Sequence, residues 1–323
     1  IRAQGRGRPY DCVLGVSGGV DSSYLAWLAK QWELRPLIVH FDNGWNSELA
    51  VGNIEELVTR LGFDLETFVM DWTEFRDLQR SYFQASVVDI EVATDQLIQG
   101  ALYRLAARNG IRTILSGTNW ATEWVMPRRW NYRKQDLVNL RTIHAQFGTV
   151  KLRKCSLYGL RHQIWYSYLH RIRSHAMLDL VDYNKARAKQ LLIDELGWRD
   201  YGGKHYESAF TRFYQGYVLP TKFGIDKRKA HLSNLILTGE ITREDALREL
   251  QQPPYDVAQQ EEDKVYVAKK LGFGREEFDT ILSADPIPHE HYGTDFAQRK
   301  VFMSCIRTLS GMRNAVTGRR AVR

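Results

Sequence analysis

Short apolar, β-branched runs alternate with helix-length amphipathic segments along the first half of the chain. The runs DCVLGVS (11–17), PLIVHFDN (36–43), LETFVMD (65–71) and IRTILSGT (111–118) are short and end in turn residues, so they predict buried strands. Between the second and third runs lies SELAVGNIEELVTRL (47–61), with apolar residues at helical spacing and a Ser at its start to cap the free amides. Strand, helix, strand, helix predicts a doubly wound α/β fold, a parallel sheet with helices on both faces. Ligands of such sheets gather at the carboxyl ends of the strands. After about residue 160 the pattern changes to helical stretches at 184–196, 242–250 and 261–271, with loops at Pro253-Pro254 and at ADPIPHEHYG (284–293). A boundary near residue 195 predicts two regions, 1–195 and a mainly helical 196–323.

Composition narrows the class. No apolar run approaches the roughly 20 residues of a membrane span and no basic-then-apolar leader opens the chain, which predicts a cytoplasmic protein with no membrane partner. Cys12, Cys155 and Cys305 share no metal-ligand or redox spacing, so a disulfide framework and a zinc knuckle lose support and the cysteines read as structural. The net charge of +7 points to an anionic partner or substrate. It is concentrated: residues 125–175 hold eleven Lys or Arg against the single acid Asp136. Such a block usually faces a polyanion, and the interleaved Trp120, Trp124, Trp130 and Tyr132 offer rings to stack on a base or a sugar.

The first strand runs into SGGVDS (17–22) and then into a helix. Gly18 and Gly19 permit a turn that gathers backbone N–H groups around one point, and the helix N-terminus adds partial positive charge there. Ser17 and Ser22 add hydroxyls, so the turn suits a phosphate or pyrophosphate. Asp21 would repel a phosphate unless a metal lies between them, which makes it a candidate Mg²⁺ ligand and catalytic residue. Neither GxxxxGK[ST] nor GxGxxG is present. SGGVDS instead resembles the pyrophosphate loop of the PP-loop ATP pyrophosphatases, whose fold is the adenine nucleotide alpha hydrolase-like one. The resemblance implies ATP and Mg²⁺ as cofactors, cleavage between the α and β phosphates, and adenylation of a substrate oxygen.

The same resemblance implies that backbone near Val39 and Phe41, at the end of the second strand, binds adenine, with Asn43 at the mouth. SGTNWATE (116–123) is similar to an element of the ammonia-dependent NAD synthetases. It implies that Ser116, Gly117 and Thr118 meet the nucleotide, that Asn119 and Trp120 face the substrate, and that Glu123 is a second Mg²⁺ ligand. The segment 197–235 combines glycines, aromatics and cations. Lys204 and Lys222 follow turn-like contexts and are candidates to hold the leaving phosphates; His205, Lys227 and Arg228 are candidates for substrate. With FDNGWNSEL and SGTNWATE, this segment resembles the N-acetyl sugar amidotransferase family of bacterial lipopolysaccharide and nonulosonic acid biosynthesis. That resemblance implies conversion of an acetamido group on a diacetamido sugar, nucleotide-linked in the lead reading, to an acetamidino group. It also implies a glutaminase subunit and a cyclase-like ammonia-channelling subunit as partners, and no nucleic acid. Family members commonly open with a cysteine-rich, zinc-binding segment before the first strand; this chain begins after that position, so Mg²⁺ is the metal expected and zinc stays open for a longer natural form. PHEH (288–291) lies between prolines and does not suit one helix face, so it reads as a loop and not a metal site. Two rivals keep the fold: a tRNA-modifying enzyme of lysidine or thiolation type, and an adenine-nucleotide sensor without turnover.

Overall fold

The structure is a computed structural model that describes residues 1–202 and 207–317. Five parallel strands, β1 (Cys12–Val16), β2 (Pro36–Asp42), β3 (Asp64–Val69), β4 (Thr113–Ser116) and β5 (Arg173–Ala176), form one sheet in the order β3-β2-β1-β4-β5. The four expected strands are present, but β3, expected to be buried, is an edge strand that is largely exposed, with Leu65 and Val69 facing solvent. β5 was not expected: its residues RSHA are mostly exposed and carry no apolar alternation, and it is held by pairing with β4 alone at the sheet edge. Strands β1 and β4 are neighbours whose following connections leave in opposite directions, which opens a crevice at their carboxyl ends.

Both faces of the sheet are covered, and the pleat of β1 shows how. Cys12, Leu14 and Val16 enter an apolar cluster with α1 (Val20–Gln31), α2 (Glu48–Leu61) and the later α8 (Lys185–Leu196). Val13, with Leu37, Val39 and Phe41 of β2, enters the opposite cluster with α3 (Trp72–Gln84) and α4 (Val92–Arg108). Helix boundaries follow local chemistry: Ser47 accepts from the N–H of Ala50 to start α2, and Gly62, with φ of 66°, ends it.

Two short helices, α5 (Trp120–Glu123) and α6 (Leu137–Phe147), follow β4. The remaining helices are α7 (Leu160–Ile164), then α8, α9 (Ala209–Phe213), α10 (Leu219–Phe223), α11 (Arg228–Leu237), α12 (Arg243–Leu250), α13 (Val257–Leu271), α14 (Arg275–Ser283) and α15 (Phe296–Thr317). Phe210, Phe213, Tyr214, Val218 and Leu219 join the same cluster as Val13 and Val39, as do Val267, Leu271 and Phe278. One core therefore runs across residue 195. No helix among the described residues is long and apolar enough to cross a membrane.

The PHEH segment is a short 3-10 helix, His289–Tyr292, and among the described residues no three His, Cys, Asp or Glu converge as a metal site. His289 is a core side chain. Its ring stacks on Tyr132 at 4.1 Å, Nε2 accepts from the N–H of Asp89 at 3.2 Å, and Nδ1–H is left to donate to Asn139 Oδ1 at 3.0 Å. Burial pushes this imidazole down to about 4. An unfolded chain, with a His near the ordinary value of about 6.5, takes up the proton first as pH falls. Stability from this residue is thus complete above pH 6.5 and drains away towards pH 4, amounting to about 3 kcal/mol. Urea midpoints measured between pH 7 and pH 4 will fall less steeply in His289→Gln than in the parent chain; equal slopes would refute the assignment.

Candidate active site

The turn after β1 is built as its glycines demand. Gly18 has φ of 82°, and a Cβ there would lie 2.6 Å from the Ala50 carbonyl oxygen, so both backbone angle and space exclude a side chain. The Gly19 N–H donates to Ser17 Oγ at 3.3 Å, and Ser22 Oγ donates to the Gly19 carbonyl at 3.3 Å. Gly19 is the N-cap of α1 and supplies no capping side chain; the Val20 N–H at the start of this helix donates to the Tyr201 phenol oxygen. A later segment clamps the turn from behind: the Trp198 indole N–H donates to the Gly18 carbonyl at 2.9 Å. Arg199 is fixed in turn by Asn53, through its N–H to Oδ1 at 2.8 Å and its carbonyl to Nδ2 at 2.9 Å.

Across the crevice, Gly117 brings the β4 loop against this turn, since a Cβ on it would lie 3.3 Å from the Ser22 nitrogen. Ser116 Oγ and Thr118 Oγ1 are 2.9 Å apart. A cavity of about 430 Å³ lies between the loops, lined by Ser17, Gly19, Asp21 and Ser22 on one side and Gly117, Thr118 and Glu123 on the other. The sequence-predicted phosphate residues are therefore together.

Two further cavities adjoin it. One of about 530 Å³ shares Ser17 and Gly117 and extends over Gly15, Phe41, Asn43, Leu102 and Tyr103, a mixed lining in which Phe41 and Tyr103 offer rings among many polar side chains. The other, about 560 Å³, shares Glu123 and His231 with the phosphate cavity. It reaches into the C-terminal half, over Arg212, Gln215, Lys227 and Asn234. Glu91 and Asp95 line both of these flanking cavities. Burial raises the Asp95 carboxyl above its usual range against the pull of Lys134, whose Nζ lies 3.0 Å away. Neither acid was anticipated, although both open the amphipathic segment that becomes α4.

Several assignments are corrected. Val39 is wholly buried, with strand partners on both sides, Gly15 on β1 and Glu66 on β3, and it does not line the nucleoside cavity. The Phe41 carbonyl next to it accepts from Asn46 Nδ2 at 3.1 Å. Asn43 lines the cavity, but its Oδ1 accepts from the Trp45 N–H at 3.0 Å and serves the turn. Asn119, buried, is the cap of α5: its Oδ1 accepts from the Thr122 N–H at 2.9 Å. Arg228 is tied to Asp226 at 2.7 Å and to the Gln252 carbonyl at 2.8 Å, which makes it a tether in the wall, while Lys227 lies over the Tyr214 ring at 5.5 Å. Lys222 is far from catalysis in chemical terms: its ammonium donates to the Ile281 carbonyl, and burial pushes it down to about 8. Lys204 and His205 lie outside the described residues. The basic block is partly consumed within the fold, with Arg133 paired to Asp136 and Asp295, Lys134 to Asp89, and Lys154 to Asp71.

The cations that do reach the phosphate cavity are Lys185 and Lys189 of α8. Lys189 is paired with Asp200; Lys185, half-buried, has no acidic partner among the described residues. It follows the Asn184 cap of α8, and nothing local in the sequence marked it. Lys185→Met keeps helix propensity and removes the charge. We expect kcat/KM for ATP to fall by about 10- to 100-fold, the worth of one charge-assisted hydrogen bond. Unchanged AMP release by the variant would show that Lys185 does not meet the nucleotide.

The donors suit Mg²⁺. Asp21 and Glu123 present carboxylates to a cavity that also offers the Ser17, Ser22 and Thr118 hydroxyls, the kind of oxygen donor that Mg²⁺ takes alongside phosphate oxygens. Asp21 is held in place by the Tyr183 hydroxyl, which donates to its Oδ1. Burial and the Asp21 carboxylate raise the Tyr183 phenol far above its ordinary value, so it stays a donor at any physiological pH.

Comparisons with known proteins add the following. Residues 207–306 match the family profile described as LPS biosynthesis protein WbpG-like, C-terminal domain. This supports the resemblance to a lipopolysaccharide-biosynthesis family seen in the sequence. No curated protein matches the chain as a whole. Among solved structures, NMN synthetase from Francisella tularensis aligns over 74% of this chain and 87% of its own at 14% identity, with a TM-score of 0.33.

Proposed function

We propose that this chain, similar over residues 207–306 to the C-terminal domain of WbpG-like LPS biosynthesis proteins, is an ATP-dependent amidotransferase that converts an acetamido group of a sugar to an acetamidino group. The observation that carries the reading is a set of three adjoining cavities, two meeting at the turn Ser17–Ser22 and the third, joined to the first at Glu123 and His231, walled by the matched residues Arg212, Gln215, Lys227 and His231.

ATP lies with its triphosphate along the turn Ser17–Ser22 and its nucleoside over Gly15 and Phe41; the sugar occupies the cavity beyond Glu123. The amide oxygen of the sugar attacks the α-phosphorus, the bond to the β-phosphate oxygen breaks, and pyrophosphate leaves onto the α1 N-terminus and Lys185. The amide is now an imidoyl adenylate, whose leaving group is AMP in place of hydroxide. Ammonia adds to the imidoyl carbon, sheds a proton, and AMP departs to leave the amidine. Glu91 and Asp95, at the join of the nucleoside and sugar cavities, are the carboxylates placed to accept that proton. Mg²⁺, held by Asp21 and Glu123, supplies neutralisation of charge on the phosphate oxygens. Ammonia comes from a glutaminase partner through a cyclase-like subunit.

The test uses a diacetamido sugar labelled with ¹⁸O in its acetamido groups, with ATP, Mg²⁺ and ammonium. The expected result is sugar made lighter by the exchange of oxygen for NH, with the label recovered in AMP. Unlabelled AMP, or sugar of unchanged mass, would sink the proposal, and salt-sensitive tRNA binding in its place would move the assignment to RNA modification.

A further inference from the structure

The segment that opens at residue 197, rich in glycines, aromatics and cations, reaches the phosphate turn with two aromatic side chains. The Trp198 indole braces the Gly18 carbonyl, and Tyr201 brings its hydroxyl to the next peptides along. The Val20 N–H donates to the phenol oxygen, and a Cβ on Gly19 would lie 3.5 Å from that same oxygen. Tyr201 is part of the wall of the phosphate cavity, together with Ser17, Ser22 and Thr118.

The half-buried phenol is fixed from both sides. Its ring meets the Trp198 indole edge-on, with centroids 5.3 Å apart and planes at 68°. Before it in the chain, Arg199 is held by Asn53 and Asp200 is paired with Lys189. After it, the Gly202 N–H donates back to Asp200 Oδ1 at 3.1 Å. A phenol accepts with its lone pairs and has one proton to give. Here the oxygen accepts from Val20, and its proton is given to no acceptor among the described residues. Burial, with the carboxylates of Glu207, Asp21 and Asp200 nearby, raises the phenol well above its ordinary value, so the proton stays in place. An O–H whose oxygen already accepts a hydrogen bond is polarised and donates more strongly. The cavity measures about 430 Å³ with Tyr201 in its wall, within the range of small-ligand sites, so the ring need not move for a phosphate to enter.

We propose that the Tyr201 hydroxyl is a ligand of the nucleotide's phosphates: it accepts from the Val20 N–H and donates to a phosphate oxygen, carrying the attraction of the α1 N-terminus one hydroxyl further into the cavity. The assignment rests on the reading of this turn as the seat of a triphosphate and adds to it a residue that arrives after α8. A phenol seated where a phosphate oxygen belongs would act as a competitor instead, and the two roles have opposite signs.

The experiment is calorimetric titration of the full chain with magnesium pyrophosphate, without sugar. The parent chain is expected to bind it in competition with ATP. Tyr201→Phe keeps the ring against Trp198 and loses only the oxygen; its affinity for pyrophosphate falls about ten-fold, the worth of one hydrogen bond to a charged group, while adenosine binding is unchanged. Equal affinity overturns the proposal, and tighter binding overturns it in favour of a competitor. The same substitution frees the Val20 N–H, so a second variant separates contact from bracing. A ring-fluorinated tyrosine at position 201 is a better donor and a poorer acceptor than tyrosine. Tighter pyrophosphate binding in that variant is the expected result; equal or weaker binding would show that the hydroxyl only braces the turn, and the proposal would fall. Weakened binding in Tyr201→Phe from a parent that forms no amidine overturns the sugar reaction and leaves Tyr201 as a phosphate ligand. A parent chain that binds neither ATP nor pyrophosphate overturns both.

Discussion

Asp21→Asn lowers AMP formation by about a hundred-fold or more, and the remaining activity needs a higher Mg²⁺ concentration. The substitution is close to isosteric. An asparagine Oδ1 still accepts from the Tyr183 hydroxyl, so the side chain stays where the aspartate was and the turn keeps its shape. What is lost is the negative charge facing a cavity that also contains the Glu123 carboxylate. The measurement is AMP release against graded Mg²⁺, with thermal unfolding as the control for an intact fold. Full activity at limiting Mg²⁺ would mean that Asp21 is a helix-start acid with no part in metal binding.

Gly100→Ala produces a large loss of stability. Gly100 lies in the middle of α4, where alanine normally gains about 1 kcal/mol over glycine. Here a Cβ would sit 1.7 Å from the Ser156 carbonyl oxygen and 2.7 Å from its carbonyl carbon. Those are backbone atoms of a buried residue, so no side-chain rotation relieves the clash. Either α4 or the 156–158 segment must move, at about 3 kcal/mol or more, which overwhelms the gain in propensity. Gln99, Leu102 and Tyr103 of α4 and Tyr158 of the opposing segment line the nucleoside cavity, so the same displacement opens it. A reduced urea midpoint together with a raised KM for ATP is the expected pair of changes. A variant as stable as the parent would show that this packing is looser than the distances state.

The strands were readable from the sequence wherever they are buried on both faces, because burial demands a continuous apolar run. β1, β2 and β4 are such strands; β5 is not, and RSHA offers no pattern to recognise. The turn after β1 was readable because Gly18 must adopt a positive φ. Residues whose role depends on which element arrives opposite them were not readable. Lys222 and Arg228 look like ligands in the sequence because both are cations among glycines and aromatics, yet a carbonyl of α14 takes one and Asp226 takes the other. Lys185 looks like an ordinary surface lysine until α8 is packed on α1 and its first turn meets the strand ends. Asn119 reads as a substrate ligand in the sequence, yet its Oδ1 is taken by the Thr122 N–H as the cap of α5.

The clamp of Trp198 on the Gly18 carbonyl has a temporal meaning as well as a spatial one. Its two partners are 180 positions apart. The turn leaves the ribosome directly after β1, but the indole that braces it follows only after all five strands have been made. Contacts of such long sequence separation form late, because the loop between them must first be ordered. A growing chain therefore carries this turn unbraced until Trp198 has been made, when the sheet that supports the turn is already in place.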